Sequence, residues 1–394
     1  MLKIVILGYL PTGMDSVKGG VEAVIKNLLN GFTSKEIEIH VFSLEKMRKE
    51  QEIIKYSKNI TIHHFPFGRI KSIKFEMLRH GRKVLKIFLS EIKPDLIHVQ
   101  GNGSNLLLLK GLNYSQVVIT PHASLKDEIQ NIKNIKWKIN HFINIWIERK
   151  YLAKIKYIIF ISKFIQDEIL KYYPGLKENY SALIYNPVNV EYFNCRQESL
   201  KTNTDLVYLG AINHRKGLSL LFDALSVINQ RRNNKIKLHI IGGFTEREYE
   251  KIINKKIIEL NLSAEIKFYG WLKQEEIIRI FNNSSIFVLP SKHENLPVSL
   301  IEAMSSSIAI VASNVGGVSE IIEDGYNGFL FGKNDLTSLI SILNKTIGDR
   351  ELRIRLSRNG RDFAVHNFHP VEIAQKTINY YQNIINNKSK NKIG

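Results

Sequence analysis

Short apolar runs alternate with helix-length segments along the whole chain. The runs are rich in β-branched residues and read KIVILGYL, IEIHVFSL, ITIHHFPF, LIHVQG, QVVITPHA and YIIFIS in the first half, then DLVYLGAI, KLHIIGG, IKFYGW, IFVLPS, AIVAS and GFLF. Strands that are apolar throughout are typical of parallel sheets covered by helices on both faces. The pattern predicts an α/β protein with two doubly wound, Rossmann-like domains.

The apolar periodicity lapses from Asn186 to Asp205, where polar residues accumulate. A length of 394 residues suits two domains. We predict an N-terminal domain over residues 1–190, a C-terminal domain over 205–368, and a helix and tail over 369–394 that can cross back to the first domain. The two domains are expected to face each other across a cleft at the carboxyl ends of their strands.

Composition narrows the partners and the compartment. The net charge of +19 is spread over both halves with a bias toward the first, and we find no nucleic-acid-binding motif, so no nucleic-acid partner is expected. The one cysteine, Cys195, fits a reducing, cytoplasmic compartment. The first apolar run breaks at Gly8 and Pro11, too early for a signal peptide, and no run is long enough to span a bilayer. Any membrane contact is expected to be peripheral.

The stretch HENLPVSLIEAM carries two carboxylates, Glu294 and Glu302. The preceding strand is predicted to end at Ser291, and a helix is predicted to begin with Pro297, where a missing N–H costs little. Glu294 then lies in the loop and Glu302 in the second helical turn, so the carboxylates are staggered rather than paired. They suit two points on one elongated ligand, with a phosphate at the helix start. The alternative is a loop acid and a surface acid.

A second candidate follows the first strand of the second domain, in YLGAINHRKGLSLLFDAL. Gly210 is placed at the turn, and Arg215 and Lys216 precede Gly217 and a helix. Two cations at a helix N-terminus make an anion site, although the spacing fits neither a P-loop nor a dinucleotide fingerprint. A solvated basic turn is the alternative.

The first domain offers two weaker candidates. Gly19 and Gly20 end the loop after the first strand, at a helix start, where glycines let backbone approach a ligand. Added flexibility would explain them equally well. His122 ends an apolar strand in ITPHAS, at the edge facing the proposed cleft, but a lone strand-end histidine is usually structural.

In this order the motifs resemble the retaining, family 4 glycosyltransferases of the GT-B fold (glycosyl transferases group 1). The resemblance covers most of the chain. It is carried by LGAINHRKGLSLLFDAL, by the E-x7-E spacing in KFYGWLKQEEIIRIFNNSSIFVLPSKHENLPVSLIEAM, and by SNVGGVSEIIEDGYNGFLF. In the first half it rests on KGGVEAVIKNL, KPDLIHVQG, TPHAS, FISKFIQDEI and NPVNVEYF. It implies an acceptor-binding first domain and a nucleotide-sugar-binding second domain.

The resemblance also implies roles for single residues. Glu294 would contact the donor sugar, Glu302 the ribose hydroxyls, and Lys216 the diphosphate, which Gly19 and Gly20 would approach from the other domain. The implied catalytic residues are Glu294, His122 near the reacting carbon, and Lys216. The implied donor site consists of Gly19, Gly20, Gly210, Arg215, Lys216, Glu294, Asn295, Leu296 and Glu302.

Two positions depart from the family. Relatives often have Arg directly after the glycine that matches Gly210, whereas this chain has Ala211, and Arg215 can supply the missing charge only if it reaches the diphosphate. Gln100 stands where many relatives have His.

The implied chemistry needs no cofactor. Breaking the bond from the anomeric carbon to the diphosphate makes the leaving group more negative, and fixed cations stabilise that charge. Paired-carboxylate hydrolysis is disfavoured by the stagger of the glutamates. The resemblance implies retention, and the absence of a DxD motif agrees with a metal-independent reaction in which the nucleotide sugar is a substrate.

The segment KDEIQNIKNIKWKINHFINIWIERKYLAKIKYIIF interleaves aromatic and basic residues. This mixture suits a helix at the surface of an anionic membrane, which would fit a lipid-linked saccharide acceptor. A basic helix packed on its own domain is the alternative. The residues are Trp137, Phe142, Trp146, Lys133, Lys136, Lys138, Arg149, Lys150, Lys154 and Lys156.

Other functions stay open. Within enzymes the alternative is a nucleotide-sugar epimerase or a phosphorylase of the same fold; outside them it is a non-catalytic basic protein that binds lipid or nucleic acid. UDP is the commonest donor nucleotide in such enzymes, and the abundance of Lys, Asn and Ile suggests an AT-rich genome and a bacterial surface-polysaccharide role, in capsule or O-antigen synthesis. The sequence identifies neither the sugar, the acceptor nor the linkage.

Overall fold

The computed structural model describes residues 1–11, 19–34, 36–46, 48–68, 73–101, 103–125, 135–178, 180–193, 204–230 and 232–390. The chain divides into two compact units. The first unit is Met1–Pro187 together with Pro370–Gly394, and the second is Val188–His369.

The first unit contains an eight-stranded sheet. Its strands are β1 Leu2–Leu7, β2 Ile37–Lys46, β3 Glu52–Ser57, β4 Ile60–Phe67, β5 Leu96–Gln100, β6 Val117–Thr120, β7 Tyr157–Phe160 and β8 Tyr180–Leu183. Their order is β3-β4-β2-β1-β5-β6-β7-β8, and all neighbours are parallel except β3 and β4. The helices of this part are α1 Gly20–Gly31, α2 Ile73–Glu76, α3 Arg82–Ile92, α4 Ile135–Leu152 and α5 Lys163–Tyr172, with a π-helical turn between α2 and α3.

The second unit contains a six-stranded, fully parallel sheet. Its strands are β9 Leu206–Leu209, β10 Leu238–Ile241, β11 Ile266–Gly270, β12 Ile286–Leu289, β13 Ala309–Ser313 and β14 Phe329–Phe331, in the order β11-β10-β9-β12-β13-β14. The helices are α6 Leu218–Gln230, α7 Arg247–Glu259, α8 Gln274–Asn282, α9 Val298–Ser305, α10 Leu336–Gly348 and α11 Arg350–Phe368. The strand order reverses between β9 and β12, which is where doubly wound sheets bind ligands.

The last helix, α12 Pro370–Lys390, packs into the core of the first unit. Its Ile373, Ile378 and Tyr381 are buried beside the sheet. A side chain at Gly31 would place its Cβ 2.1 Å from the carbonyl oxygen of Pro370, so a glycine lets α1 approach the start of this helix closely.

The structure confirms the α/β class and contains every strand predicted from the apolar runs. It adds β3 and β8, which were not predicted. The prediction of a strand end at Ser291 is wrong: β12 ends at Leu289, because Pro290 follows and has no N–H for the ladder. Pro297 is the N-cap of α9 with an extended ψ of 109°, not its first residue. Within the described residues, no helix is long and apolar enough to cross a membrane.

Candidate functional site

The loops that follow β9 and β12 meet at the reversal of strand order in the second unit. The backbone N–H of Lys292 donates a 2.8 Å hydrogen bond to the carbonyl of Arg215, which joins the two loops directly. Gly217 has a φ of 69°, and a Cβ there would lie 2.0 Å from the carbonyl oxygen of Pro290. A side chain would therefore force the two loops apart.

The turn after β9, which carries Arg215 and Lys216, is ordered by a glycine at its start and by a side-chain cap. Gly210 leaves the strand with a φ of 152°. Asn213 then caps a short 3-10 turn, His214–Lys216, by accepting a 3.2 Å hydrogen bond from the N–H of Lys216. The basic residues thus belong to an ordered turn before α6, not to a loose solvated one.

Arg215, Lys216 and Glu294 form one charged cluster. Lys216 Nζ lies 2.5 Å from Glu294 Oε1, and the hydroxyl of Ser291 donates to the same oxygen at 2.6 Å. Arg215 Nη1 lies 3.7 Å from Glu294 Oε2 and donates to the carbonyl of His293 at 2.9 Å. The guanidinium of Arg215 therefore occupies the same site as Lys216, although Ala211 replaces the arginine that relatives often have.

Burial and charge oppose each other in this cluster. Glu294 is 4% exposed, and burial alone would raise its pKa, but Lys216, Arg215 and the hydrogen bond from Ser291 together lower it. Burial lowers the pKa of Lys216, and the negative charge of Glu294 partly offsets this. An anion beside the lysine therefore favours its charged form.

Glu302 is different from Glu294. It lies in the second turn of α9 and is partly buried, and its carboxyl group has no hydrogen bond or ion pair with any residue that the structure describes. Burial raises its pKa to about 8. A buried acid without a protein partner is a candidate for binding ligand hydroxyl groups.

The remaining predicted donor residues contribute less directly. The side-chain oxygen of Asn295 lies 3.1 Å from His293 Nε2. Leu296 is 5% exposed, so its side chain belongs to the core and only its backbone can meet a ligand.

Sequence reasoning assigned no role to Ser291 or Gly317. Ser291 bonds the carboxylate of Glu294, and the N–H of Gly317 donates to its carbonyl at 3.2 Å. The Gly-Gly pair in SNVGGVSE was the available signal, but only the fold places it beside β12.

In the first unit, His122 is held by a chain of polar side chains. Its Nε2 lies 2.8 Å from Gln100 Oε1, Gln100 Nε2 lies 3.3 Å from His98 Nε2, and His98 Nδ1 lies 2.5 Å from the hydroxyl of Tyr381 in α12. The hydroxyl of Thr120 also lies 2.7 Å from His98 Nε2.

The amide of Gln100 fixes which group donates in each hydrogen bond of this row. Its oxygen only accepts, so His122 Nε2 must carry a proton and donate it, and its nitrogen only donates, so His98 Nε2 accepts. His98 then carries its proton on Nδ1 and donates to Tyr381. Burial lowers the pKa of His122 to about 4 and, with help from the charge of His122, that of His98 to about 3. Both rings are therefore neutral at pH 7.

The glycines at the start of α1 do not have glycine-specific backbone. Gly19 has a φ of −109° and its N–H donates to Glu22 at 3.3 Å, while a Cβ at Gly20 would meet nothing within 4 Å. A Cβ at Gly19 would lie 3.3 Å from the side chain of Glu22, so local packing can account for Gly19 but not for Gly20, and the approach of both to a ligand stays a prediction.

Residues 194–363 match the protein family Glycosyl transferases group 1, and residues 18–192 match Glycosyltransferase Family 4. Among curated relatives, an uncharacterised glycosyltransferase of Methanocaldococcus jannaschii is 28% identical over 88% of this chain and 90% of its own. Lipopolysaccharide 1,6-galactosyltransferase of Escherichia coli K12 is 25% identical over 88% of this chain and 89% of its own.

Solved structures share the fold. Sucrose-phosphate synthase of Thermosynechococcus elongatus superposes with a TM-score of 0.83 at 19% identity, covering 98% of this chain and 99% of its own. Anabaena HepE in complex with UDP-glucose gives 0.75 at 18% identity, covering 97% and 100%. The likeness confirms the GT-B fold.

Gln100→Glu should raise the pKa of His122 toward its ordinary value of about 6.5, because a carboxylate would replace the amide oxygen at 2.8 Å and stabilise the charged ring. Histidine-selective NMR titration, assigned with His122→Asn, measures this pKa. Gln51→Glu, on the exposed surface of the same unit, is the control. An unchanged titration of His122 in Gln100→Glu would show that the hydrogen bond does not set its protonation.

Proposed function

The chain belongs to the glycosyltransferases of family 4 type with the GT-B fold, and on that basis we propose that it moves a sugar from a nucleotide-sugar donor to a saccharide acceptor with retention of configuration. UDP is the proposed nucleotide, supported by the UDP-glucose complex of HepE. A role in bacterial surface-polysaccharide synthesis is supported by the name of the lipopolysaccharide galactosyltransferase relative.

One observation carries this proposal: two cations and a buried carboxylate share a site at the strand-order reversal of the second unit, and the carboxyl group of Glu302, on the helix that follows, has no partner among the residues that the structure describes. Arg215 and Lys216 are placed to hold a diphosphate, Glu294 to contact the sugar, and Glu302 to accept hydrogen bonds from ribose hydroxyls. Glu294 lies in the loop before α9 and Glu302 in its second turn, a staggered arrangement that suits an elongated ligand.

In the proposed reaction the bond between the anomeric carbon and the diphosphate oxygen breaks while the acceptor oxygen bonds to the same face of that carbon. The proton of the acceptor hydroxyl passes to a phosphate oxygen of the leaving group. Lys216 and Arg215 stabilise the charge that develops on the diphosphate. We propose a metal-independent step because these cations supply the positive charge that a metal would otherwise bring.

We propose that α4 contacts an anionic membrane, at the inner face of the plasma membrane of a cytoplasmic enzyme. One stripe of this helix is exposed, including Phe142 at 57% and Trp146 at 60%, and Lys150 Nζ lies 4.9 Å from the centre of the Trp146 ring. The complete stripe is Ile135, Ile139, Phe142, Ile143 and Trp146. At the C-terminal end of the same helix Ile147, Tyr151 and Leu152 are buried in the first unit, so the helix is anchored there while the stripe stays exposed.

Other parts of the predicted membrane segment have different positions. Lys154 and Lys156 are exposed, and each ammonium group lies near a tyrosine ring of its own unit, at 5.6 Å from the Tyr114 ring and 5.8 Å from the Tyr157 ring. Lys133 and the side chains of Lys136 and Trp137 lie outside the described part of the chain.

Release of UDP from a UDP-sugar that depends on a saccharide acceptor tests the proposed function. A thermal-shift screen of UDP-, GDP- and ADP-sugars selects the donor first. Turnover of the sugar nucleotide without an acceptor, giving an epimer, would favour the epimerase instead, and donor binding without any turnover would favour a binding protein.

Lys216→Ala should lower the rate of UDP release about 100-fold, because one well-placed cation contributes about 3 kcal/mol to leaving-group stabilisation. Steady-state kinetics with a saturating donor measure the loss, and Lys333→Ala, at an exposed position of the same unit, should be unaffected. Equal rates for wild type and Lys216→Ala would remove the donor-site assignment.

Uridine affinity should rise with pH up to about 8 and then level off. Ribose hydroxyls donate to the charged carboxyl of Glu302 and lower its pKa on binding, so binding releases a proton below the free pKa of about 8. Calorimetry in buffers of different ionisation enthalpy counts that proton, and uridine avoids the titration of phosphates. Glu302→Gln should abolish both effects and exposed Glu323→Gln neither. Proton release that persists in Glu302→Gln would contradict the assignment.

Flotation with anionic vesicles tests the membrane contact. We expect salt-sensitive binding that falls at least fivefold in Trp146→Ser, since the exposed ring would insert at the interface. Ile258→Ser, which removes a 70% exposed apolar side chain from the second unit, should float like the wild type. No flotation of the wild type at low salt would count against the contact.

A further inference from the structure

The first unit contains an apolar cavity of about 380 Å³ at the carboxyl ends of β1, β2 and β4. Its polar side chains are Tyr9 and Asn105. The apolar side chains of the wall are Leu7, Phe42, Leu44, Phe67, Ile73, Met77 and Leu108. A volume of this size lies at the lower end of the range for ligand pockets.

The apolar wall of the cavity favours a hydrocarbon chain over a sugar as its ligand. A sugar would lose hydrogen bonds from most of its hydroxyl groups among these side chains, and each unpaired group would weaken binding. A prenyl or alkyl chain loses nothing in the same place. A cavity of about 380 Å³ is large enough for a segment of one hydrocarbon chain.

The cavity adjoins the exposed stripe of α4. Ile73, on α2, lines the cavity and is 38% exposed, and Phe75 of the same helix is 50% exposed. Lys74, between them, donates to the side-chain oxygen of Asn140 at 2.7 Å and to its carbonyl at 3.1 Å. Because Asn140 belongs to α4 and directly follows Ile139 of the exposed stripe, this pair of bonds joins α2 to α4 next to one residue of that stripe.

We infer that this cavity holds the first part of the single hydrocarbon chain of a polyprenyl-diphosphate-linked acceptor, which enters past Ile73 from the membrane. The inference deepens the proposed function and rests on it only in assigning the chain to the acceptor. The acceptor has one such chain, whereas a phospholipid that placed one chain in the cavity would leave its second chain outside. Lys74 directly follows the lining residue Ile73, and exposed Arg79 lies two residues after the lining residue Met77, so both are close in sequence to the wall and have the charge that complements a diphosphate.

Calorimetric binding of farnesyl diphosphate to the full-length protein, below the micelle concentration of the ligand, tests the inference. Inorganic diphosphate is the chainless comparison, and geranyl diphosphate the shorter chain. We expect farnesyl diphosphate to bind at least tenfold more tightly than inorganic diphosphate, with geranyl diphosphate between them. A short two-chain phosphatidic acid, used as a competitor, should displace it poorly.

Two variants report on the cavity itself. Ile73→Trp narrows the entrance at an exposed position where folding is not at risk, and Leu108→Phe fills the interior. Each should weaken farnesyl diphosphate binding at least tenfold without changing the affinity for inorganic diphosphate. Ile87→Trp, at a 51% exposed position of α3, is the matched control and should bind like the wild type.

The outcomes separate the two proposals. Equal affinity for farnesyl and inorganic diphosphate, unchanged binding in Ile73→Trp, or efficient displacement by the two-chain lipid would overturn the cavity assignment even in an active transferase. Chain-dependent binding by a protein that never releases UDP from any sugar nucleotide would support the cavity as a prenyl site and overturn the transfer reaction.

Discussion

The ion pair between Lys216 and Glu294 is the interaction on which the chemistry of the second unit depends. Two charges removed from water are stable only when each has a partner and the remaining polar atoms are hydrogen-bonded. Ser291 and Arg215 complete that requirement for the carboxylate. Burial disfavours the charged form of Lys216, and in the free protein Glu294 offsets this with its negative charge. A bound diphosphate can take over that role and become the partner of the lysine.

In the first unit, burial orders a row of polar side chains that ends at His122. His98, Gln100 and Tyr381 are nearly inaccessible to water, and a buried polar group must find a partner or lose stability. Their only consistent arrangement runs in one direction, from His122 through the amide of Gln100 to His98 and the hydroxyl of Tyr381. The last helix therefore contributes to the protonation of a candidate catalytic histidine, and Gln100, which departs from the family, is what fixes the tautomer.

The fold could be predicted because buried parallel strands are apolar throughout and are separated by helices. The strand β3 was missed because it is an edge strand with alternating exposure and an antiparallel neighbour. The position of Pro297 was misjudged by one residue because N-cap and first-turn prolines look alike in sequence.

The site was predictable in its parts but not in its contacts. Glu294 and Lys216 could be proposed separately, yet they are 78 residues apart in sequence, and only the strand order brings them together. The hydrogen-bonded row behind His122 could not be predicted for the same reason, since its last two members, His98 and Tyr381, lie 283 residues apart.

Affinity for UDP in Glu294→Gln tests the central claim most directly, because the claim is that Lys216 exchanges one anion for another. The neutral amide keeps the shape of the site and removes the competing charge. We predict that UDP binds to this variant roughly fivefold more tightly than to the wild type, a difference of about 1 kcal/mol, while UDP release from the donor slows. Weaker binding of UDP to Glu294→Gln than to the wild type would contradict the exchange.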